Sequence, residues 1–375
     1  MRVGIMSMQR VVNHGSFMQA YGLKVMLESL GYDTIFVDYK PSPCVPGLRG
    51  NAGRFKDWLG RAKADIRFTR LGRRALVTAG IYRRTPMDIE YERCLGLLNV
   101  DPCKRNIGEH VDALIVGSDE VFNCTQAGPN VGFCRQLLGK DNNCDTAISY
   151  AGSFGHTTLS DLRKYNVIDE VKSCFDCFDA ISVRDENSRS ILDDLGFSDI
   201  YMHLDPVLVS GVERIPWKPV MTPKRYAIVY GYENRFTKAE GEAIKAVARK
   251  RRVELLAVYG HQEFCDKNID CGPDEILSYF DGADFVVTDT FHGTIFSVIT
   301  RTPFAVVKRE QNANKLTDLL SRLSLEARLA ATPEGLDRIL DLDPMFGSID
   351  SVRSVARRDS LAYLQSSIST GAKKR

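Results

Sequence analysis

The chain has 375 residues, 44% hydrophobic and 26% charged, a length comfortable for two domains of roughly 150–200 residues each and long for one core. A formal net charge of +2 gives no overall field for nucleic acid. No stretch approaches the roughly 18 consecutive apolar residues that cross a bilayer, and polar residues follow the opening MRVGIM too soon for a signal-peptide core. A cytoplasmic protein is expected.

Ten cysteines are scattered along the chain; without an export signal they do not read as a disulfide framework. The one CxxC pair, Cys174 and Cys177 in SCFDCF, lacks the second pair of ligands that zinc needs. The two read as buried thiols sharing a helix face, and no metal site is expected.

Strand and helix signals alternate from the first residues. Residues 2–8 (RVGIMSM) form a short apolar run, followed by a polar turn with Asn13, His14 and Gly15. A helix is predicted over 16–31, with Phe17, Tyr21, Val25 and Leu27 inward and Gly31 as its stop. Residues 33–39 (DTIFVDY) complete a βαβ unit, which implies a parallel sheet. Further strands are predicted at 112–116, 146–151, 180–184 and 200–204, the last closing at Asp205-Pro206.

A stretch at 210–223 carries Pro216, Pro219 and Pro223 and reads as a linker. The alternation then restarts, with strands at 226–230, 253–259, 284–288 and 303–307, and helices over 238–252, from Pro273 and from His292. The expected architecture is α/β: two Rossmann-like domains facing a cleft. The first spans 1–209, with an insertion at 41–100, the second 210–345, and a C-terminal helix with a basic tail fills 346–375. In open parallel sheets ligands bind at the carboxyl ends of strands, where strand order reverses. Residues just after strands are therefore the functional candidates.

One region breaks the rhythm. Residues 49–84 hold eleven Lys or Arg against Asp57 and Asp65, interleaved with Phe55, Trp58, Leu59, Ile66, Phe68, Ile81 and Tyr82. A basic helix with an apolar face can lie on an anionic membrane; the same residues also suit a solvated helical excursion packed on the first domain. No nucleic-acid-binding motif accompanies the patch.

Five segments, in order, resemble the polysaccharide pyruvyl transferase family: NHGSFMQAYGLKVMLESLGY, DALIVGSDEVFN, AISYAGSFG, ISVRDENSRSILDDLG and VVTDTFHGTIFSVITRTPFAVV. Each alone is weak; in register they identify the chain as a family member from Asn13 onward. The resemblance implies a GT-B-like fold. It also implies transfer of a pyruvyl unit from phosphoenolpyruvate to a sugar as a ketal, with phosphoenolpyruvate as co-substrate and no cofactor. Acceptors in such systems are capsule, exopolysaccharide or cell-wall precursors, often carried on a polyprenyl lipid.

Phosphoenolpyruvate carries a phosphate and a carboxylate, so its site needs cations or helix N-termini, together with an acid and a base. His292, between the strand DFVVTD and the next helix, is the first catalytic candidate, with Gly293 permitting close backbone approach. Asp119, in GSDEVFN, is the second. Arg184, ending the strand AISVR, suits bidentate capture of an anion. Asn13, His14, Gln19 and Asn123 are candidates for the acceptor. Relatives commonly read Arg-Leu-His in the last motif, where this chain has Thr290-Phe291-His292. Losing that arginine removes a contact of about 1.5–3 kcal/mol, and Lys308 and Arg309, after the following strand, are candidates to replace it. Two alternatives stay open: a nucleotide-sugar glycosyltransferase on the same fold, or a member that has lost donor binding.

Overall fold

The structure is a computed structural model that describes residues 1–48, 78, 85–128, 130–309, 313–343 and 345–373. The basic stretch at 49–84 therefore lies outside the described residues, Thr78 excepted. The chain divides into two compact units, 1–210 with 356–375, and 211–355.

The first unit runs β1 (Arg2–Met6), α1 (His14–Ser29), β2 (Asp33–Phe36), α2 (Pro86–Cys94), β3 (Val111–Asp119), β4 (Cys144–Gly152), α3 (Leu159–Lys164), α4 (Ile168–Phe175), β5 (Ile181–Val183), α5 (Glu186–Asp194), β6 (Ile200–Met202) and α6 (Pro206–Val209). Its six strands form one sheet in the order β2-β1-β3-β4-β5-β6, and every pair is parallel. The central strands β3 and β4 are buried almost throughout, as expected of a parallel sheet covered on both faces. Strand β1 ends two residues earlier than its apolar run, because the Ser7 amide bonds the Gln9 side chain at 3.0 Å instead of a neighbouring strand.

Asn13 caps α1, accepting from the amides of Gly15 and Ser16. The inward face differs from expectation: Met18, Leu23 and Met26 join Phe17 and Leu27 in the core, while Tyr21 and Val25 are half-buried. The CxxC pair is also split, Cys174 buried and Cys177 exposed. Helix α4 stops at Phe175, so Cys177 lies beyond it and no longer shares a helical face.

The second unit runs β7 (Tyr226–Gly231), α7 (Lys238–Arg251), β8 (Glu254–Tyr259), β9 (Lys267–Ile269), α8 (Ile276–Asp281), β10 (Val286–Thr288), α9 (Phe291–Ile299), β11 (Phe304–Val307), α10 (Ala313–Arg322), β12 (Leu329–Ala330), α11 (Leu336–Asp341) and the start of α12 (Phe346–Lys373). The sheet order is β12-β11-β10-β7-β8-β9, again parallel throughout. Strands β9 and β12, three and two residues long, are too short to show a period in sequence. The proline-bearing stretch at 211–223 is tied to this unit at Lys218, while Met221 is 98% exposed. Trp217 donates its indole N–H to Val212 at 2.8 Å, and the Lys218 amide bonds the Asp274 carbonyl at 3.0 Å.

From Ala356 the last helix belongs to the first unit. Tyr363, buried on α12, donates its hydroxyl to the Ser149 carbonyl of β4 at 2.9 Å.

Candidate functional site

In each unit the strand order reverses once. In the first the reversal lies between β1 and β3, which pair in register from Val3 with Ala113 to Met6 with Val116. In the second it lies between β7 and β10, paired from Ile228 with Val286 to Tyr230 with Thr288. In open parallel sheets ligands bind past such points, beyond the carboxyl ends of the strands.

At the first reversal the sequence places Asp119 on the last residue of β3. Its φ of 76° is left-handed backbone, costing on the order of 1–3 kcal/mol for a residue with a side chain. Asp119 accepts from Ser16 Oγ at 2.6 Å and faces Arg184 Nη2 at 3.5 Å. Arg184, just after β5, also bonds Asp205 Oδ2 through Nη1 at 2.9 Å, and Ser118 Oγ reaches the same oxygen at 3.3 Å. Side chains of Arg184 and Asp205 are 2% and 0% exposed, that of Asp119 12%. Burial alone would lower the Arg184 pKa; Asp205 and Asp119 outweigh it and hold the guanidinium above its ordinary value. Arg184 is therefore a permanent cation spent on two carboxylates, and Asp119 is the more accessible of those two.

The first βα turn is organised from beneath. Gln19 donates to Ser7 Oγ at 2.7 Å and to the Ser16 carbonyl at 2.8 Å, and accepts from the Ser118 amide at 2.9 Å. Gln19 and His14 are fully buried, so both shape the turn from inside, and Asn13 spends its oxygen on the cap. Asn123 is buried as well. Its amide donates to Glu120 Oε2 at 2.9 Å and approaches His156 Nδ1 at 3.2 Å, while its carbonyl accepts from Thr125 and Thr157. His156 is the exposed member of that group, and Glu120 and Thr125 are half-buried. Phe122 lies in the core, its ring 4.8 Å from that of Phe175.

At the second reversal β10 runs into Asp289, Thr290 and α9. Thr290 is the N-cap: its Oγ1 accepts from the Gly293 amide at 2.9 Å and meets Thr288 Oγ1 at 3.0 Å. A Cβ at Gly293 would sit 2.2 Å from Thr288 Oγ1 and 2.7 Å from Thr290 Oγ1, so the position requires glycine. His292 is half-buried on the first turn, between Phe291 and Phe296 at ring distances of 5.4 and 6.1 Å.

Just before it in the chain is Asp289, centre of a charged group in which the sequence singled out only Arg309. Asp289, with a fully buried side chain, pairs with Arg235 and Arg309, each at 3.0 Å. Arg309 also grips Glu240 with both terminal nitrogens, at 2.7 and 2.9 Å. Burial pushes Asp289 above the ordinary carboxylate range against the pull of the two arginines. Burial acts the same way on Glu240, but Arg309 overcomes it and holds that carboxyl below its ordinary value. The guanidinium of Arg309 is thus balanced by two carboxylates, whereas Lys308 is exposed. Asp289 and Asp205 each directly follow a run predicted as a strand, a position that marks both as candidates.

Burial pushes the thiols of Cys134 and Cys174 up to about 11, so they are protonated near neutrality and poor nucleophiles. Among the described residues no group of three or more His, Cys, Asp or Glu could hold a metal ion, and no helix is long and apolar enough to cross a membrane.

A family model for polysaccharide pyruvyl transferases matches residues 13–311. The chain belongs to that family. No curated protein matches it. Among solved structures, this family member resembles a Listeria monocytogenes protein assigned as a UDP-N-acetylglucosamine 2-epimerase, at 11% identity and TM-score 0.50, with 97% of this chain and 96% of that one covered. It also resembles Arabidopsis thaliana UGT89C1 complexed with UDP-L-rhamnose, at 11% identity and TM-score 0.45, covering 99% of each chain. The glycosyltransferase SnogD of Streptomyces nogalater follows at 12% identity and TM-score 0.42, with 98% and 99% covered. At such identities the likeness concerns the fold, which is GT-B-like, with two parallel six-stranded sheets.

Proposed function

We propose that this family member transfers a pyruvyl group from phosphoenolpyruvate to a sugar of a capsule, exopolysaccharide or cell-wall precursor, closing a ketal on two hydroxyls. It would act in the cytoplasm, on an acceptor that can be polyprenyl-linked, and without a cofactor. The observation that carries the reading is the family match over residues 13–311. It is supported by ionisable groups at both points of strand reversal, where this architecture binds ligands.

The reaction adds a proton to the methylene carbon of phosphoenolpyruvate, making C2 electrophilic. A sugar hydroxyl attacks C2, the C2–O bond to phosphate breaks, and a second hydroxyl closes the ketal. Two hydroxyl protons are released; one balances the proton added to carbon and the other leaves with phosphate. His292, at the mouth of β10 and on the positive end of α9, is proposed to deliver or relay the proton. Asp119, held by Ser16 and charge-balanced by Arg184, is proposed as the base that receives a hydroxyl proton. In this scheme Arg184 aims Asp119 and balances its charge, adding that task to the anion contact the family motif implies. Lys308, exposed after β11, supplies the donor-side cation in place of the arginine that Thr290 replaces. Arg309, Thr290 and Gly293 shape that side through the Asp289 and Glu240 pairs and the helix cap. Asn13, His14, Gln19 and Asn123 set the acceptor turn and its neighbours Glu120 and His156.

Differential scanning fluorimetry with phosphoenolpyruvate, pyruvate and nucleotide sugars tests the reading. Stabilisation by phosphoenolpyruvate that disappears in Lys308→Ala is expected. Stabilisation by a nucleotide sugar alone would instead favour a glycosyltransferase.

A further inference from the structure

The second unit carries an aromatic feature that the donor chemistry does not use. Strand β7 ends Tyr230-Gly231 and continues into Tyr232, while β8 ends at Tyr259, which pairs in register with Gly231. Gly260 lets these strand ends pinch together, and Gly231 lets β7 pass close to Asp289. A Cβ at Gly260 would fall 2.3 Å from the Gly231 carbonyl oxygen and 2.4 Å from the Glu233 amide, and one at Gly231 would strike Asp289 Oδ1 at 2.8 Å. Within the pinch the rings of Tyr232 and Tyr259 meet edge to face at 5.4 Å. The Arg235 guanidinium lies 5.1 Å from the Tyr232 ring centre. Tyr259 in turn stacks on the buried Tyr230 at 5.6 Å, and a Cβ at Gly293 of α9 would press on that same ring at 2.7 Å. The tyrosine pair and the first turn of α9 thus share one supporting side chain.

Two further observations mark the pair as more than surface packing. Tyr259 has φ of 89°, a true outlier for a bulky side chain, and such strained residues cluster at ligand-binding and active sites. Tyr232 is 46% exposed although it sits at the carboxyl end of a central strand, beside the reversal of strand order. Next to it the loop presents Glu233 and Asn234, both exposed.

We propose that Tyr232 and Tyr259 form a stacking subsite for a pyranose ring of the saccharide, whose C–H face lies on the aromatic surface while Glu233 and Asn234 take its hydroxyls. This deepens the function proposed above and rests on it for the protein having a saccharide substrate. A nucleobase also stacks on tyrosine, but its phosphates would bring negative charge toward Glu233, and the nearby arginines Arg235 and Arg309 are already balanced by Asp289 and Glu240. Stacking on an aromatic ring is worth enough that its removal weakens binding about ten-fold or more.

The test is saturation-transfer-difference NMR of the full chain with methyl pyranosides of glucose, galactose, mannose and N-acetylglucosamine, with uridine as the competing probe. At least one pyranoside is expected to bind, with transfer strongest to its ring C–H protons. Its affinity should fall about ten-fold in Tyr232→Ala and remain within about two-fold in Tyr232→Phe, which keeps the ring. Because Tyr259 supports Tyr230, Tyr259→Phe is the second variant, expected to fold and bind like the parent. Binding of uridine but no pyranoside, absence of pyranoside binding, or an unchanged affinity in Tyr232→Ala would each overturn the subsite. Phosphoenolpyruvate is titrated separately. If pyranosides bind through Tyr232 while phosphoenolpyruvate does not bind, the subsite stands and pyruvyl transfer fails; the reverse pattern sinks the subsite alone.

Discussion

Replacing Arg184 with methionine removes a cation that two carboxylates in the first unit share. The side chains of Arg184 and Asp205 are 2% and 0% exposed, with Asp205 Oδ2 2.9 Å from the guanidinium, and Asp119 faces it at 3.5 Å. Methionine fills much of the volume, so the cost is chiefly electrostatic, and stripping one partner from a buried pair costs about 3–5 kcal/mol. At about 2–4 °C per kcal/mol for a unit of roughly 150–250 residues, the melting temperature should fall by roughly 6–20 °C. The loss should depend on pH with a definite sign. An uncompensated buried carboxylate takes up a proton more readily in the folded state than in the unfolded one. The variant's deficit should therefore shrink on acidification and grow as pH rises. Urea denaturation followed by circular dichroism at pH 5 and pH 8 measures both effects. Adding Asp205→Asn to Arg184→Met should recover on the order of 1 kcal/mol or more at pH 8, because it removes the orphaned charge. A single variant within about 1 kcal/mol of the parent at both pH values would refute the shared buried cation.

Four further outcomes follow from the same geometry. Lys308→Ala should leave the melting temperature within about 1–2 °C of the parent, since the residue is exposed, yet weaken phosphoenolpyruvate about ten-fold or more in calorimetric titration. His292→Ala should lower the turnover of phosphate release about 100-fold or more without a matching change in donor affinity, the signature of a lost proton-transfer group. Thr290→Ala should cost about 1 kcal/mol through the lost helix cap, while Gly293→Ala should cost more, because its methyl meets both threonine hydroxyls; chemical denaturation ranks the two. Glu240 is held below its ordinary pKa by Arg309, so its stabilising contribution is present above the usual glutamate range and lost as pH falls through its folded value. Glu240→Gln should flatten that acid limb of the stability profile.

Sequence pattern carried the fold because long, apolar parallel strands such as β3, β4, β7 and β8 leave strong local signals. It failed at β9 and β12, which exist only by pairing with a neighbour and are too short to show periodicity. The site was half legible. Positions after strands pointed to Asp119, Arg184 and His292. What those side chains touch was hidden, because Asp205 lies 21 residues from Arg184 and Glu240 lies 69 from Arg309. Charge partners that distant leave no mark in local sequence. Thr290, a donor candidate from its place after a strand, also caps α9 by accepting from the Gly293 amide at 2.9 Å, a bond that leaves no mark in the sequence. Tyr232 and Tyr259 carry no mark in the sequence beyond their place at strand ends, because the left-handed backbone at Tyr259 is a feature of the fold.

The most direct test of pyruvyl transfer is calorimetric titration of the full chain with phosphoenolpyruvate and, separately, with a UDP-sugar, repeated on Lys308→Ala. Saturable binding of phosphoenolpyruvate that is lost in the variant, with no binding of the UDP-sugar, is the predicted result. Binding of the UDP-sugar with none of phosphoenolpyruvate would contradict it.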